Sequence, residues 1–432
     1  MTWIFPQIAF IKRQILQIRA GGSAILIKKG RIVSERVLCL LFYCPAMLIV
    51  ALIRIIRPFY LIRFGQLNGP RIGHFAGNTE LYLCEQDSGI NVPQQRYVDL
   101  FYAENPVCNH QLKVMWKRVL HVWPSWIIAP VIRIGRLIPG WKLHEVGENT
   151  QQDRDVHNLL DRIGPHLKFT EEEISRGETG LREIGIPQGA PFICLAIRDS
   201  AYLDARPGKD WSYHNYRDCN IQNYVLAAES LANLGYYVVR MGAIIRKPLC
   251  SNHLKVIDYA SNGMRSDFMD IYLGSRCAFC LSCSTGIDAV PIMFRRPVVY
   301  ADMVPVGYLA TYVKNRVFIC KKHWLISEQR WLSLREIFQL GVGFYIRTQD
   351  YESRGVRLVE NTPEEIRDVA TEIAERLAGT WKPHEDDEEL QRRFWEIFPK
   401  NAVGAFNKRP LHGKIRARFG AAFLRNNREW LE

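Results

Sequence analysis

Between Pro191 and Ala301 the chain alternates short, largely apolar runs with amphipathic stretches. FICLAI (192–197), YYVVRM (236–241), VIDYA (256–260), AFCLSC (278–283) and PVVYA (297–301) are too short for helices and too evenly apolar for strands with one wet face. They are predicted as strands buried on both faces. Helical patterns fall between them, near 221–234, at SDFMDIYLG (266–274) and from Gly286. Buried strands linked by helices make a parallel, doubly wound sheet. ENTPEEIRDVATEIAERLAG (360–379), with Thr362 as N-cap and Pro363 at the first helical position, predicts a long closing helix.

Upstream, Thr170 with Glu173 forms a capping-box pair, and Gly185 with Pro187 ends the helix they open. LIRFGQLNGPRIGHFAGNTELYL predicts a strand near Arg71 to Gly73, a glycine-bearing turn, and a helix from about Thr79. The expected organisation is a leader over 1–63, a first α/β domain over 64–168, a connector helix over 169–190, a second α/β domain over 191–400 and a basic tail over 401–432. Two α/β units with a cleft between them follow from this pattern.

Charge changes the picture at the ends. The formal net charge is +13, and residues 1–63 hold ten Lys or Arg against one acid, Glu35. From Lys408 onward there are seven basic groups against Glu429 and Glu432. Apolar content separates a membrane surface from nucleic acid as the partner of such ends. Val37 to Ile53 is a 17-residue run without a charge, at the lower limit for a span, with Pro45 near its middle and cations on both sides. WIFPQIAFIKRQILQI before it mixes aromatic, aliphatic and cationic residues. An in-plane or re-entrant helical leader on an anionic membrane is expected, with a buried core helix as the alternative; nucleic acid is not expected as a partner, because no aromatic stacking surface accompanies the charge. No secretory cleavage signal follows the apolar run, so the bulk of the chain is expected to stay in the cytoplasm. Cys277, Cys280 and Cys283 repeat at period three inside an apolar run and read as buried thiols, so no metal site is expected.

Ligands of open parallel sheets bind beyond the carboxyl ends of the strands, and the motifs that could carry chemistry fall there. CSTGIDAVP follows AFCLSC: Ser284 and Thr285 supply hydroxyls, Gly286 permits close approach, and a helix N-terminus follows. That suits a diphosphate; ordinary capping, Thr285 with Asp288, is the alternative. IRDSAY puts Arg198 at a strand's end as a phosphate clamp, with Asp199 as proton acceptor or as the group that orients the arginine. Arg240 and Gly242 end YYVVRMG in the same way. In the long loop that follows Asp199, His214, Tyr216, Arg217 and Asp218 are candidates for donor or acceptor contact. Ser266 is expected to cap the helix from Asp267. In RIGHFAGNTE, His74 and Glu80 are candidate general bases, with structural roles as the alternative.

The stretches RIGHFAGNTELYLCE (71–85), ICLAIRDSAY (193–202), NIQNYVLAAESLANLGYYVVRMG (220–242), VIDYASNGMRSDFMDIYLGSRCAFCLSCSTGIDAVPIMFRRPVVYAD (256–302) and ENTPEEI (360–366) resemble a bacterial family of glycosyltransferases found with surface-polysaccharide genes. The resemblance implies a GT-B arrangement, two Rossmann-like domains facing a cleft, without a DxD metal motif. More distantly, Arg198 and the Ser284-Thr285-Gly286 turn are similar to the donor-diphosphate elements of the fucosyltransferase superfamily. It implies a nucleotide-sugar donor as substrate, no cofactor or metal, and a glycan acceptor that the leader suggests is lipid-linked. YRDCNIQNY (216–224) departs from the family's arginine-asparagine pattern, since Asp218 follows Arg217. Two other classes fit the same residues: a sugar-nucleotide enzyme such as an epimerase, and a membrane-tethered nucleotide-binding module without turnover.

Overall fold

The computed structural model describes residues 43–146, 154–205, 210–314, 316–404 and 409–432, with isolated positions at 25, 30 and 34. The N-terminal part of the leader, and with it WIFPQIAFIKRQILQI, lies outside the described residues. Two compact units divide the chain, and they interleave along it: the first takes Met1–Leu67, Pro93–Glu104 and Leu120–Gly147, the second Asn68–Val92, Asn105–Val119 and Glu148–Glu432. Both are α/β with parallel sheets.

The first unit carries helix α1 (Tyr43–Ile56) and strands β1 (Leu61–Leu67), β2 (Tyr97–Ala103) and β3 (His121–Val122), hydrogen-bonded in that order and parallel. Ala46, Val50 and Ile53 of α1 bury against Ile128, Val131 and Ile132 of helix Ser125–Gly135. Gly65 sits where a Cβ would lie 2.3 Å from the Phe101 ring, so a strand-weakening residue is retained for close packing. Arg63 and Asp99, cross-strand neighbours, form a buried two-point ion pair at 2.7 and 2.6 Å. The opposite face of α1 is apolar and open: Leu48, Leu52, Ile55 and, just past the helix, Phe59 are exposed. Among the described residues no helix is long and apolar enough to cross a membrane.

The second unit contains helices α2 (Ile72–Asp87), α3 (His110–Val119) and α4 (Glu171–Glu183), then strands β4 (Phe192–Ala196), β5 (Tyr237–Arg240), β6 (Val256–Ile257), β7 (Cys280–Ser282), β8 (Val298–Met303) and β9 (Val317–Cys320). β10 (Lys322–Leu325), β11 (Arg330–Trp331) and β12 (Val356–Val359) form a small antiparallel sheet, and β13 (Arg418–Phe419) returns to the main one. The main sheet is seven-stranded and parallel, in the order β13-β9-β8-β7-β4-β5-β6. Its strands bury on both faces, as their unbroken apolar runs require. The chain leaves β4 toward β5 and β6, then returns to β7 and runs out the other way. The reversal lies between β4 and β7, the place where open α/β sheets bind ligands.

The capping signals act as expected. Thr170 with Glu173 and Thr362 with Glu365 form complete capping boxes, and the Ser266 hydroxyl accepts from the Met269 N–H. The helix at Pro363–Ala378 ends on Gly379 with φ +72°. The strand expected near Arg71 to Gly73 is instead β1, at 61–67, and α2 begins at Ile72. The glycines of GHFAG, expected in a turn, lie inside that helix, and Gly73 is needed there: a Cβ on it would stand 3.1 Å from the Gly286 Cα. The basic C-terminal residues are also not a free tail. Phe419, Phe423 and Trp430 enter the core, while Arg418, Arg425 and Arg428 pair with Glu388, Asp387 and Asp386.

Candidate functional site

Register brings the two main motifs together. Ala196 of β4 pairs with Ser282 of β7, so the residues two positions on, Arg198 and Ser284, leave neighbouring strands at one level. Adjacent strands lie about 4.8 Å apart. The Arg198 N–H donates to the Cys283 sulfur at 3.0 Å, which fastens the two strand ends. A cavity of about 470 Å³ opens at this point, lined entirely by residues of the second unit. Arg71, Gly73, His74 and Glu80 from α2 and its start, Arg198, Asp199, His214, Arg217, Gly242, and the Ser284-Thr285-Gly286 turn all line it.

Arg198 is held by Asp218. Its Nε donates to the Asp218 Oδ1 at 3.0 Å, while no hydrogen bond joins either terminal nitrogen to a described residue. Burial, then the neighbouring Arg217, lowers the Arg198 pKa from its ordinary value. Two guanidinium groups close enough to oppose each other's charge mark a place that favours an anion. Burial pushes the Asp218 carboxyl up, with the Arg198 charge opposing. Asp218, not Asp199, orients the arginine. Asp199 accepts backbone N–H groups from Ala201 at 2.9 Å and Arg246 at 2.8 Å, so its carboxylate fastens two loops.

Arg217 donates to the Ser284 carbonyl. Ser284 has φ +65°, a left-handed conformation that suits glycine better, so the turn is held by its surroundings. Those include the Ser282 hydroxyl, which accepts from the Ser284 N–H at 3.1 Å and donates to Asp288 at 2.9 Å. Capping by Thr285, the alternative use of this turn, is absent: its side chain makes no cap bond, and the Ser282 hydroxyl accepts from the N–H groups of Ser284 and Thr285. The helical segment after it is short, Gly286–Asp288 followed by Ala289–Met293, so its dipole is weak. The longer α2, 16 residues, supplies the helix N-terminus at the cavity.

His214 lies among Arg217, Arg198 and Arg71; burial and then these charges lower its pKa to about 4, leaving a neutral imidazole at pH 7. His74 lines the cavity with Nδ1 3.4 Å from the Asn78 side-chain oxygen. Glu80 is buried: one oxygen takes Arg295 at 2.6 Å and His166 at 3.0 Å, and the other has no partner. This cluster includes Cys84 in a metal-like spacing, with Arg295 inserted in it; a guanidinium bonded to the carboxylate occupies the place a cation would need. Gly242 is required where it stands, since a Cβ would approach Ile245 to 2.8 Å. Arg240 does not reach the cavity. It is buried and bonded to the Lys247 carbonyl at 2.6 Å and Asp258 at 3.2 Å, a loop-fastening role.

Four cavity arginines were not among the candidates: Arg71, Arg154, Arg265 and Arg316. Arg71 precedes α2 and lies over the Trp211 ring at 5.6 Å; Arg316, at the start of β9, was invisible because that strand went unrecognised.

No known protein-family profile matches the sequence. A comparison with curated proteins finds no match. Among solved structures the chain is similar to ADP-heptose LPS heptosyltransferase II of E. coli, at 14% identity over 60% of this chain and 90% of that one, with a TM-score of 0.38. It is also similar to a glycosyl transferase family 9 protein of Veillonella parvula, at 12% identity over 56% and 80%, TM-score 0.33. A third likeness is to the iron-containing glycosyltransferase TibC of enterotoxigenic E. coli, at 13% over 57% and 61%, TM-score 0.29. The functional reading rests on the residues of this chain.

Proposed function

We propose that this chain is a metal-independent glycosyltransferase that moves a sugar from a nucleotide-sugar donor to a glycan acceptor in surface-polysaccharide synthesis. The observation that carries the reading is Arg198: Asp218 orients it through Nε, and both terminal nitrogens remain available at the cavity mouth. A leaving diphosphate develops negative charge, and fixed donors placed where that charge grows lower the barrier most. Arg198, Arg71, the Ser284-Thr285-Gly286 turn and the α2 N-terminus are the groups for that work, and Arg217 holds the turn in shape. Glu80 and Asp199 are committed to internal bonds. The acceptor hydroxyl's proton therefore falls to an imidazole, His74 or the neutral His214.

The acceptor in this reading is lipid-linked, and the chain works at the cytoplasmic face of the inner membrane. The basic, apolar leader pattern and the open apolar face of α1 support this, since such a face lies favourably in an anionic interface. One further reading, a nucleotide-binding module without turnover, draws on the same commitment of Glu80 and Asp199. Thermal-shift titration with nucleoside diphosphates and sugar nucleotides tests the donor site, and donor hydrolysis or transfer tests turnover. Arg198→Ala is expected to lower transfer by about 10²–10³-fold with the fold intact. Unchanged diphosphate response and transfer in that variant would reject the reading.

A further inference from the structure

Arg316 is only 3% exposed, yet it lies on the cavity wall. A guanidinium keeps its charge, and burying one without partners is costly. Here no carboxylate of the described residues stands within ion-pair distance, its Nε has no hydrogen-bond partner, and none joins its terminal nitrogens to a described residue. The Tyr300 ring lies 5.6 Å from the guanidinium carbon. Asp288 also lines this stretch and is held by the Ser282 hydroxyl. A buried polar group left unsatisfied calls for a physical explanation, and a missing ligand is a leading one.

The sheet geometry separates this arginine from the cavity mouth. Ser282, Tyr300 and Phe318 are in register across β7, β8 and β9, and Arg316 precedes Phe318 by two residues on the same side. Its Cα therefore lies roughly 6–7 Å below that of Phe318, toward the amino ends of the strands, and its guanidinium stands over the Tyr300 ring. Tyr300 stacks on Phe318 at 5.2 Å beside it, and Tyr308 and Tyr312 line the same stretch. A second cation, Arg154, lies over the Tyr308 and Tyr312 rings, but its nitrogens donate to the carbonyls of Tyr308, Leu309 and Leu411, which leaves Arg316 as the cation here whose terminal nitrogens are not taken by a described residue. Aromatic walls with such a cation suit a sugar ring that bears a negative group.

We infer that the cavity floor is a second anion site, in which Arg316 takes a carboxylate or phosphate carried by the saccharide portion of the ligand. The inference rests on the mouth being the diphosphate site and adds the chemical class of the sugar: an acidic or phosphorylated saccharide. The whole chain is titrated with glucuronate, glucose 6-phosphate, neutral glucose, inorganic phosphate and, separately, nucleoside diphosphates. Glucuronate or glucose 6-phosphate is expected to bind about tenfold to a hundredfold more tightly than glucose, the range of a charge-assisted hydrogen bond. Arg316→Met is expected to erase that preference and to leave the nucleoside-diphosphate response in place. Because no hydrogen bond is lost, the melting temperature of the unliganded Arg316→Met protein should equal or exceed that of the parent. Arg316→Lys, which keeps a charge without the planar fork, should retain part of the preference. Equal binding of charged and neutral sugars, or a preference that survives Arg316→Met, overturns the inference. Inorganic phosphate binding as tightly as glucose 6-phosphate overturns its saccharide part. Nucleoside diphosphates failing while the Arg316-dependent preference persists defeats the donor reading and leaves the floor site standing.

Discussion

Replacing Arg295 with Met isolates the role of Glu80. One guanidinium there donates to Glu80 at 2.6 Å, to the Gly164 carbonyl at 2.9 Å and to the Ile163 carbonyl at 2.9 Å, joining α2 to the loop before α4. Glu80 is fully buried, so removing the Arg295 guanidinium leaves its carboxylate in the interior with His166 as the remaining cationic partner. Breaking a buried pair from one side costs about 3–5 kcal/mol, because the other charge stays behind. For a unit of roughly 300 residues the unfolding entropy is on the order of 0.6 kcal/mol per degree, so melting should fall by roughly 5–8 °C. Glu80→Gln in the same background removes the stranded charge and should recover much of the loss. Differential scanning calorimetry of the two single variants and the double variant measures this. Glu80→Gln alone should leave nucleoside-diphosphate affinity unchanged. A melting temperature within a degree of the parent in Arg295→Met, or no recovery in the double variant, refutes the view of Glu80 as a structural counter-ion.

Two further outcomes are expected. His166 lies between Glu80 and Asp87; burial opposes its charge, and hydrogen bonds to Cys84 and Glu80 outweigh that, raising its pKa to about 10. With the folded value above the unfolded 6.5, its stabilisation is complete below pH 6.5 and fades as pH rises through about 10. The gap in unfolding free energy between the parent and His166→Gln should therefore shrink from pH 6 to pH 10, by about 2 kcal/mol after allowance for partial exposure, as read by denaturant titration at each pH. An equal gap at both values contradicts it. Gly73→Ala places a methyl 3.1 Å from the Gly286 Cα and 3.2 Å from its carbonyl oxygen, both backbone atoms that yield only if the turn moves. A loss of about 1–3 kcal/mol in stability is expected, with a larger proportional loss in nucleoside-diphosphate affinity measured by calorimetry.

Much of the second unit was legible because its strands bury on both faces and its helices open on capping residues. FICLA, YVVR, CLS and VVYADM stand where their apolar runs put them, and Thr170, Ser266 and Thr362 cap as their spacing required. VFIC at 317–320 was not read, since it follows a long loop and runs directly into Lys321 and Lys322. The error at α2 has a different origin. Glycine was read there as turn chemistry, whereas Gly73 serves a close backbone approach from Gly286, and local sequence carries no mark of a partner more than 200 residues away. The same holds within the cavity. The strand-end rule located Arg198 and the Ser284 turn, but which acid would orient the arginine depended on how the loop after Asp199 folds back.

The interleaving of the two units along the chain has a bearing on protein engineering. The wall that presents Arg71, Gly73 and His74 is encoded far upstream of the sheet it completes, within the segment Asn68–Val92. No single cut separates the units, and a fragment starting at the α4 helix would fold, if it folds, with that side of its ligand chamber missing. Hybrids between related chains should therefore be joined before Asn68, or else exchange Asn68–Val92 and Asn105–Val119 along with the C-terminal portion.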